Sequence, residues 1–407
     1  MIVFRLPRPG FKWFSRKKLL FLLVLFLLVF PKGGVKLAGI PITWGYLLIG
    51  AVSIALARVP SQEYDLRRLQ TYLLSLPFQA LIAVSTVLNG FVSAGQFFAI
   101  FMAFHFLPFF FLALSSKFIE ELDLEYFYKI FRISLLIVAI YGIFLFFVKN
   151  ATGKFLQIPL LTTNLHDSGN MEDKHNRRGL LFKLISTYNN GNIYGACILI
   201  LLPFFCAIEP KKWKQWAVKL SLFLTLSRTA WIGLILHEFV LTWFYQKPTR
   251  YDLIKFLAKG GVSILALISI GYAIGLGPEL FLDRSMGGRD EMLVSAANAS
   301  FFSPLPLAAI SEAVYLSVTA QFGYVGLILF LAQMLAPLGM ALSRGVPDSG
   351  RRVKWSVACG LINYLFICLS DGALIFIPTM AFYWFFSSLL LRRSFLPPLL
   401  NGRARKS

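Results

Sequence analysis

Cysteine is scarce in this chain: four residues in 407, and Cys197, Cys206, Cys359 and Cys368 all fall inside apolar runs. A thiol so placed behaves as a small buried hydrophobe, which argues against a disulfide scaffold, and no CxxC or zinc-type spacing is present. Histidine is as rare, and His105, His166, His175 and His237 keep no metal-ligand spacing. His237 beside Glu238, near a helix end, reads as a packing or interfacial pair. The chain has no GxxxxGK[ST] phosphate loop and no GxGxxG turn after a strand, so nucleotide hydrolysis and dinucleotide chemistry lack their machinery. It also lacks the alternating ten-residue segments of a membrane barrel. Without internal repeats, Gly/Ser linkers or low-complexity tails, nothing marks off a soluble domain, and residues 1–407 read as one integral membrane domain.

What is abundant is hydrocarbon. Hydrophobic residues make up 57% and aromatic residues 16%, with a mean hydropathy of +0.69, far above a soluble domain. Runs of ~17 to 25 apolar residues, enough to cross ~30 Å of hydrocarbon as helix, recur along the chain. They predict an all-α polytopic membrane protein with about twelve transmembrane helices. These are expected near 19–31, 40–57, 72–92, 96–116, 130–148, 190–208, 214–227, 229–245, 260–277, 313–342, 355–369 and 372–391. The first is read as uncleaved: Arg16, Lys17 and Lys18 precede the apolar stretch Leu19 to Phe30, but "PKGGVKLAG" is a poor cleavage site.

The net charge of +21 does not point to nucleic acid, because the basic residues sit in short segments between apolar runs. With both termini cytoplasmic, 29 of the 40 Lys and Arg fall in the inner segments 1–18, 58–68, 117–132, 211–219, 247–259, 344–354 and 392–406, and 11 fall outside them. The positive-inside rule selects that orientation. Two connections, 149–189 and 278–312, are long, and both lie on the outer face. Long loops among short ones are where function is expected.

The outer face carries the unusual residues. In "LTLSRTAWIGLILHEFV", Arg228 interrupts an apolar run at the expected outer junction of two helices. A guanidinium in that setting costs several kcal/mol unless water, a counter-charge or a bound anion receives it. Arg284 and Arg289 stand in the second outer loop, and Arg177 and Arg178 precede the sixth helix. The planar donor fork of arginine suits phosphate oxygens, so a diphosphate at the outer membrane surface is the natural ligand. Taken singly, each has a simpler reading: Arg228 as a snorkelling side chain, the loop arginines as solvated partners of neighbouring Asp and Glu. Glu312 opens the tenth helix and reads either as a helix cap or, beside arginines, as an ionised general base. Asp371, at the turn before the last helix, is a second carboxylate for which a turn or cap role is favoured.

Three patches in order resemble one family. "RRGLLFKLISTYNNGNIYGACILILLP" is similar to an Arg-Gly followed by a "GTFxNPNxxA" helix start. "LTLSRTAWIGLIL" is similar to "TxSRgAwlgl", and "GGRDEML" with "EAVYLSVTAQFGYVGLILF" looks like a "GR" loop and an "HNxYLxxlaexGxxGlxxf" helix. The family is the bacterial O-antigen ligase and Wzy-type polysaccharide polymerase superfamily of membrane glycosyltransferases, and the patches cover roughly residues 177 to 332. The resemblance implies metal-independent, inverting glycosyl transfer at the outer face of the bacterial plasma membrane, with no cofactor. Donor and acceptor would be undecaprenyl-diphosphate-linked glycans, with membrane lipid and a chain-length regulator protein as further partners. It places the phosphate-contacting arginines at Arg228 and Arg289, joined by Arg284 and by Arg177 or Arg178, with Asn192 and Tyr315 in the substrate-binding set and Glu312 as base. The family's ligases carry histidine at the Glu312 position, which favours polymerase. A ligase to lipid A core and a transporter of a lipid-linked glycan or anionic solute stay open as alternatives.

Overall fold

A computed structural model describes residues 16–37, 40–57, 65–164, 176–178, 181–246, 289–302, 305–308, 312–342, 350–374 and 376–393, with isolated positions besides. The described chain is almost entirely helical. In order it contains α1 (Arg16–Val24, prolonged by the π-turn Leu25–Val29), α2 (Trp44–Ala57), α3 (Leu66–Asn89), α4 (Ala94–Phe101, prolonged to Leu114), α5 (Ser116–Glu120) and α6 (Leu124–Thr152). After the first long loop come α7 (Gly191–Ile208), α8 (Lys212–Phe223), α9 (Arg228–Gln246), α10 (Arg289–Ala297), α11 (Val314–Leu342), α12 (Arg351–Ile367) and α13 (Ile377–Leu390).

A helix stands at or within a few residues of every expected position except 260–277, which lies outside the described residues apart from isolated positions. Among the described residues, five segments are each long and apolar enough to cross a membrane: Leu66–Asn89, Ala94–Leu114, Leu124–Thr152, Gly191–Ile208 and Val314–Leu342. The chain is a helical membrane protein.

Several boundaries differ from the sequence reading, each for a local reason. The expected helix 40–57 begins only at Trp44, because Ile40–Thr43 is a strand (β2) paired antiparallel with Gly34–Leu37 (β1). Ile, Pro, Ile and Thr favour extended backbone, and the Trp44 indole Nε1 donates to Leu160 O at 2.7 Å, pinning the hairpin to the first long loop. Helix 214–227 ends at Phe223, since Leu226 takes φ 52°. Helix 372–391 starts at Ile377, after a turn in which Ala373 takes φ 43°. The second long loop is not wholly irregular, for it contains α10. The tenth helix is broken at Gly323, with φ 73° and ψ −173°.

Prolines inside the helices free carbonyls, and neighbouring side chains take them up. Pro108 cannot bond the Phe104 carbonyl. Buried Gln333 donates its Nε2 there at 3.2 Å, and Trp384 Nε1 donates to the adjoining Ala103 O at 2.8 Å. Pro203 frees Leu199 O in the same way, and Asn363 Nδ2 points at it from α12 at 3.4 Å. In hydrocarbon such replacements are what make a broken ladder tolerable. Gln333→Leu is therefore expected to lower stability by about 1 kcal/mol, and by less in a Pro108→Ala background, where the restored N–H bonds Phe104 O. Thermal unfolding of the four proteins of that cycle in detergent checks it. An equal cost in both backgrounds would refute the link.

Contacts sort the connections into two ends of the bundle. At one end, buried Arg68 pairs with Glu120 at 2.9 Å and Asp65 at 3.3 Å and donates to Ser388 O at 3.2 Å, while Arg392 donates to Leu122 O at 3.0 Å. At the other end, the β1–β2 hairpin, the first long loop, the α8–α9 turn, the segment before α11 and the α12–α13 turn meet one another.

Candidate functional site

The second end holds most of the charged residues singled out in the sequence. Arg177–Arg178 and Leu181–Phe182 form a short antiparallel hairpin (β3, β4). From there the chain passes through Lys183 and Leu184 to the turn Ser186–Tyr188 and into α7. Asn190 caps α7, its Oδ1 accepting from Asn192 N at 2.8 Å and Ile193 N at 3.2 Å. Asn189 supplies a left-handed residue, φ 61°, at the turn, a conformation asparagine tolerates. Its Nδ2 donates to Thr163 Oγ1 at 3.0 Å and its carbonyl accepts from Asn176 Nδ2 at 3.1 Å, so the loop is braced from within.

A run of hydrogen bonds joins this loop to the rest of the site. Leu184 N donates to Leu224 O at 2.9 Å, and Arg178 Nη1 points at Leu226 O at 3.5 Å. The α8–α9 turn then delivers Arg228 as the first residue of α9. One residue on, Thr229 Oγ1 is 2.9 Å from Ser370 Oγ in the α12–α13 turn. That turn in turn holds the start of α11: Gly372 N donates to Glu312 O at 2.9 Å and Val314 N to Cys368 O at 3.1 Å. Arg178, Arg228, Glu312 and Asp371 are thereby carried on four segments that touch.

The neighbouring arginines 177 and 178 have different surroundings. Arg177 is exposed and stacks its guanidinium 4.4 Å above the Phe182 ring. Arg178 is half-buried and reaches the α8–α9 turn. Asn192 lies in the first turn of α7, its Oδ1 facing Lys183 Nζ at 3.4 Å. Tyr315 has its hydroxyl on Leu365 O and its ring 6.0 Å from that of Phe330, so it ties α11 to α12. Arg289 is the first residue of α10, which packs beside α11; its side chain and the whole of Arg284 lie outside the described residues.

Lys183 belongs to this cluster although nothing in the sequence singled it out. It is 8% exposed. Burial pushes its ammonium below the ordinary lysine range; Arg178 pushes the same way, Asp371 and Glu312 oppose, and Arg228 lowers it further. All four charges thus act on one amine. A signal existed: a single lysine with apolar neighbours on both sides, "GLLFKLIS", directly before a helix start. The carboxylates differ in setting, since Asp371 is buried at 3% and Glu312 is exposed.

The chemistry available is that of an anion site with an accessible base. Arg178, Lys183 and Arg228 supply donors that suit phosphate oxygens. Glu312 stands beside them in the open, where a hydroxyl-bearing acceptor can reach it. Leu226, buried and held at φ 52° one residue before Ser227, marks the turn that presents Arg228 as strained, as backbone at functional sites often is.

Comparison with known proteins gives no match: no family model fits the chain, and neither does any curated protein or solved structure.

Proposed function

We propose that this protein is a polysaccharide polymerase: a metal-independent, inverting glycosyltransferase that joins undecaprenyl-diphosphate-linked repeat units at the outer face of the bacterial plasma membrane. The observation that carries this reading is the gathering of Arg178, Lys183, Arg228, Glu312 and Asp371 at one end of an apolar helix bundle. The motif resemblance adds the substrate class. Twelve crossings with cytoplasmic termini put this end outside, where a flipped lipid-linked donor presents its diphosphate.

In the proposed reaction the arginines, with Arg289 and Arg284 from the second outer loop, hold the donor diphosphate. Glu312 takes the proton from the acceptor sugar hydroxyl. The hydroxyl oxygen then bonds to the anomeric carbon from the face opposite the phosphate. The bond from that carbon to the phosphate oxygen breaks, and its electron pair leaves on the diphosphate. Donors aimed at that growing charge lower the barrier most.

Glu312→Gln removes the base and little else, because the amide matches the carboxylate in shape. The expected result is a 10²- to 10⁴-fold fall in chain growth, roughly the contribution of a positioned base, with donor binding retained. Purified protein, lipid-linked repeat unit and gel analysis of product length provide the measurement. Full-length polymer from the variant would remove Glu312 from the role. Transbilayer movement of the lipid-linked unit without any polymer, from the unaltered protein, would favour the transporter.

A further inference from the structure

Lys183 is placed where its own charge is unwelcome. Its side chain runs over the first turn of α7: a Cβ built on Gly191 would stand 3.1 Å from Lys183 Cβ and 3.3 Å from its Cδ. The amine ends 3.4 Å from Asn192 Oδ1, the second residue of the helix. That is the positive end of an 18-residue helix, where cations are disfavoured and anions are held. Arg228 repeats the situation as the first residue of α9. Arg178 approaches the turn between α8 and α9 from the hairpin. The first turns of the two helices are neighbours, for a Cβ built on Gly195 would stand 3.2 Å from Ala230 Cβ, and Arg178, Arg228, Asp371 and Glu312 all act on the Lys183 amine.

A buried lysine with no carboxylate bond among the described residues is a costly arrangement for the free protein. An anion with two adjacent phosphate groups relieves it: each phosphate meets a helix N-terminus and at least one cation. We propose that Lys183 is a diphosphate-binding residue, seating one phosphate at the start of α7 while Arg228 seats the other at the start of α9. The assignment rests on the polymerase reading for the identity of the donor and deepens it by giving Lys183 its own phosphate seat. Asn192 acts as a positioning residue, holding the amine over the helix by its Oδ1. Lysine suits the inner seat as a compact point charge on a flexible stem, whereas the arginines bring fixed forks.

The test uses the full chain in lipid nanodiscs, with inorganic pyrophosphate as the probe, calorimetric binding and thermal unfolding as readouts, and chain growth as a third. The unaltered protein is expected to bind pyrophosphate and to melt higher in its presence. Lys183→Met is expected to bind it roughly ten- to a hundredfold more weakly, the range of a charge-assisted hydrogen bond. Without pyrophosphate the same variant is expected to melt no lower than the unaltered protein, because a repelled buried charge has been removed. A lysine with a merely structural role would lower the melting temperature and leave binding unmoved. Lys183→Arg restores charge and is expected to recover part of the binding.

Equal pyrophosphate affinity in the unaltered protein and Lys183→Met overturns the assignment and leaves the arginine site standing. Absence of any pyrophosphate response in a protein that still polymerises overturns the diphosphate seat as a whole. Should Lys183→Met fail to fold, Lys183→Arg and Asn192→Ala decide: undiminished binding in both counts against the proposal.

Discussion

Alanine at Arg228 is expected to cut the rate of polymer growth by about 10²- to 10³-fold, the loss typical of one preorganised donor at a developing charge. The residue heads α9 and acts on Lys183 and its neighbours, so its removal takes a permanent charge from the centre of the cluster. Unfolding is not expected to account for the loss. A cation on the first turn of a helix opposes the dipole by about 0.3–1 kcal/mol, which offsets part of what its other contacts contribute, so Arg228→Ala is expected to stay folded at the assay temperature. Arg228→Lys separates two forms of recognition. If the guanidinium grips two phosphate oxygens as a fork, lysine recovers little, because it offers one point of charge; if charge alone matters, lysine recovers most of the rate. Parallel measurement of chain growth and melting temperature for both variants decides, and full polymer from Arg228→Ala sinks the assignment.

Among the described residues, helix positions were legible in the sequence to within about half a dozen residues because they depend on one quantity, the length of an apolar run, which needs no tertiary partner. Arg228 was legible for a related reason: one charge in hydrocarbon stands out wherever the chain folds. The placement of Arg228 at a helix junction followed from counting crossings, and the structure has a turn there, 224–227. What could not be read depended on partners distant along the chain. Ile40–Thr43 has enough hydrophobicity for a helix, and its pairing with Gly34–Leu37 and the bond from Trp44 to Leu160 make it a strand and a turn instead. Arg177 and Arg178 are equivalent as letters; only the Phe182 ring under the first and the Leu226 carbonyl before the second tell them apart. Lys183 is not singled out by the sequence, and its setting comes from burial and from charges on four other segments that act on it. Tyr315 sits in a motif that suggested substrate contact, yet its hydroxyl is held by Leu365 O.

The break at Gly323 is where such a distant partner has the largest consequence for stability. Fifteen residues of straight helix would separate Tyr315 from Phe330 by about 22 Å at ~1.5 Å per residue, yet their rings lie 6.0 Å apart. The bend is made at Gly323, whose φ of 73° and ψ of −173° belong to a region essentially restricted to glycine. A side chain there has no room either: its Cβ would stand 2.6 Å from Ser300 O and 2.7 Å from Phe301 O. The segment that carries them is held, because the second long loop supplies bonds the broken helix gave up. Val325 N donates to Phe301 O at 3.1 Å, Leu305 N to Gln321 O at 3.3 Å, and Gln321 Nε2 to Pro306 O at 3.0 Å. Gly323→Ala thus combines a strained backbone, of order 1–3 kcal/mol, with a collision against carbonyls that cannot retreat without losing those bonds. A loss of about 3 kcal/mol or more is expected in denaturant or thermal unfolding. Gly339→Ala, in the same helix with open space around its Cβ, is expected to gain about 0.5–1 kcal/mol from helix propensity and serves as the control. Because Glu312 enters α11 two residues before Val314 and is held through Gly372 N, straightening the helix pulls the base away from the cations, so chain growth is expected to fall further than stability alone explains. A Gly323→Ala protein that melts like the unaltered one and polymerises normally would mean that α11 runs straight, and that Glu312 does not owe its place to the bend.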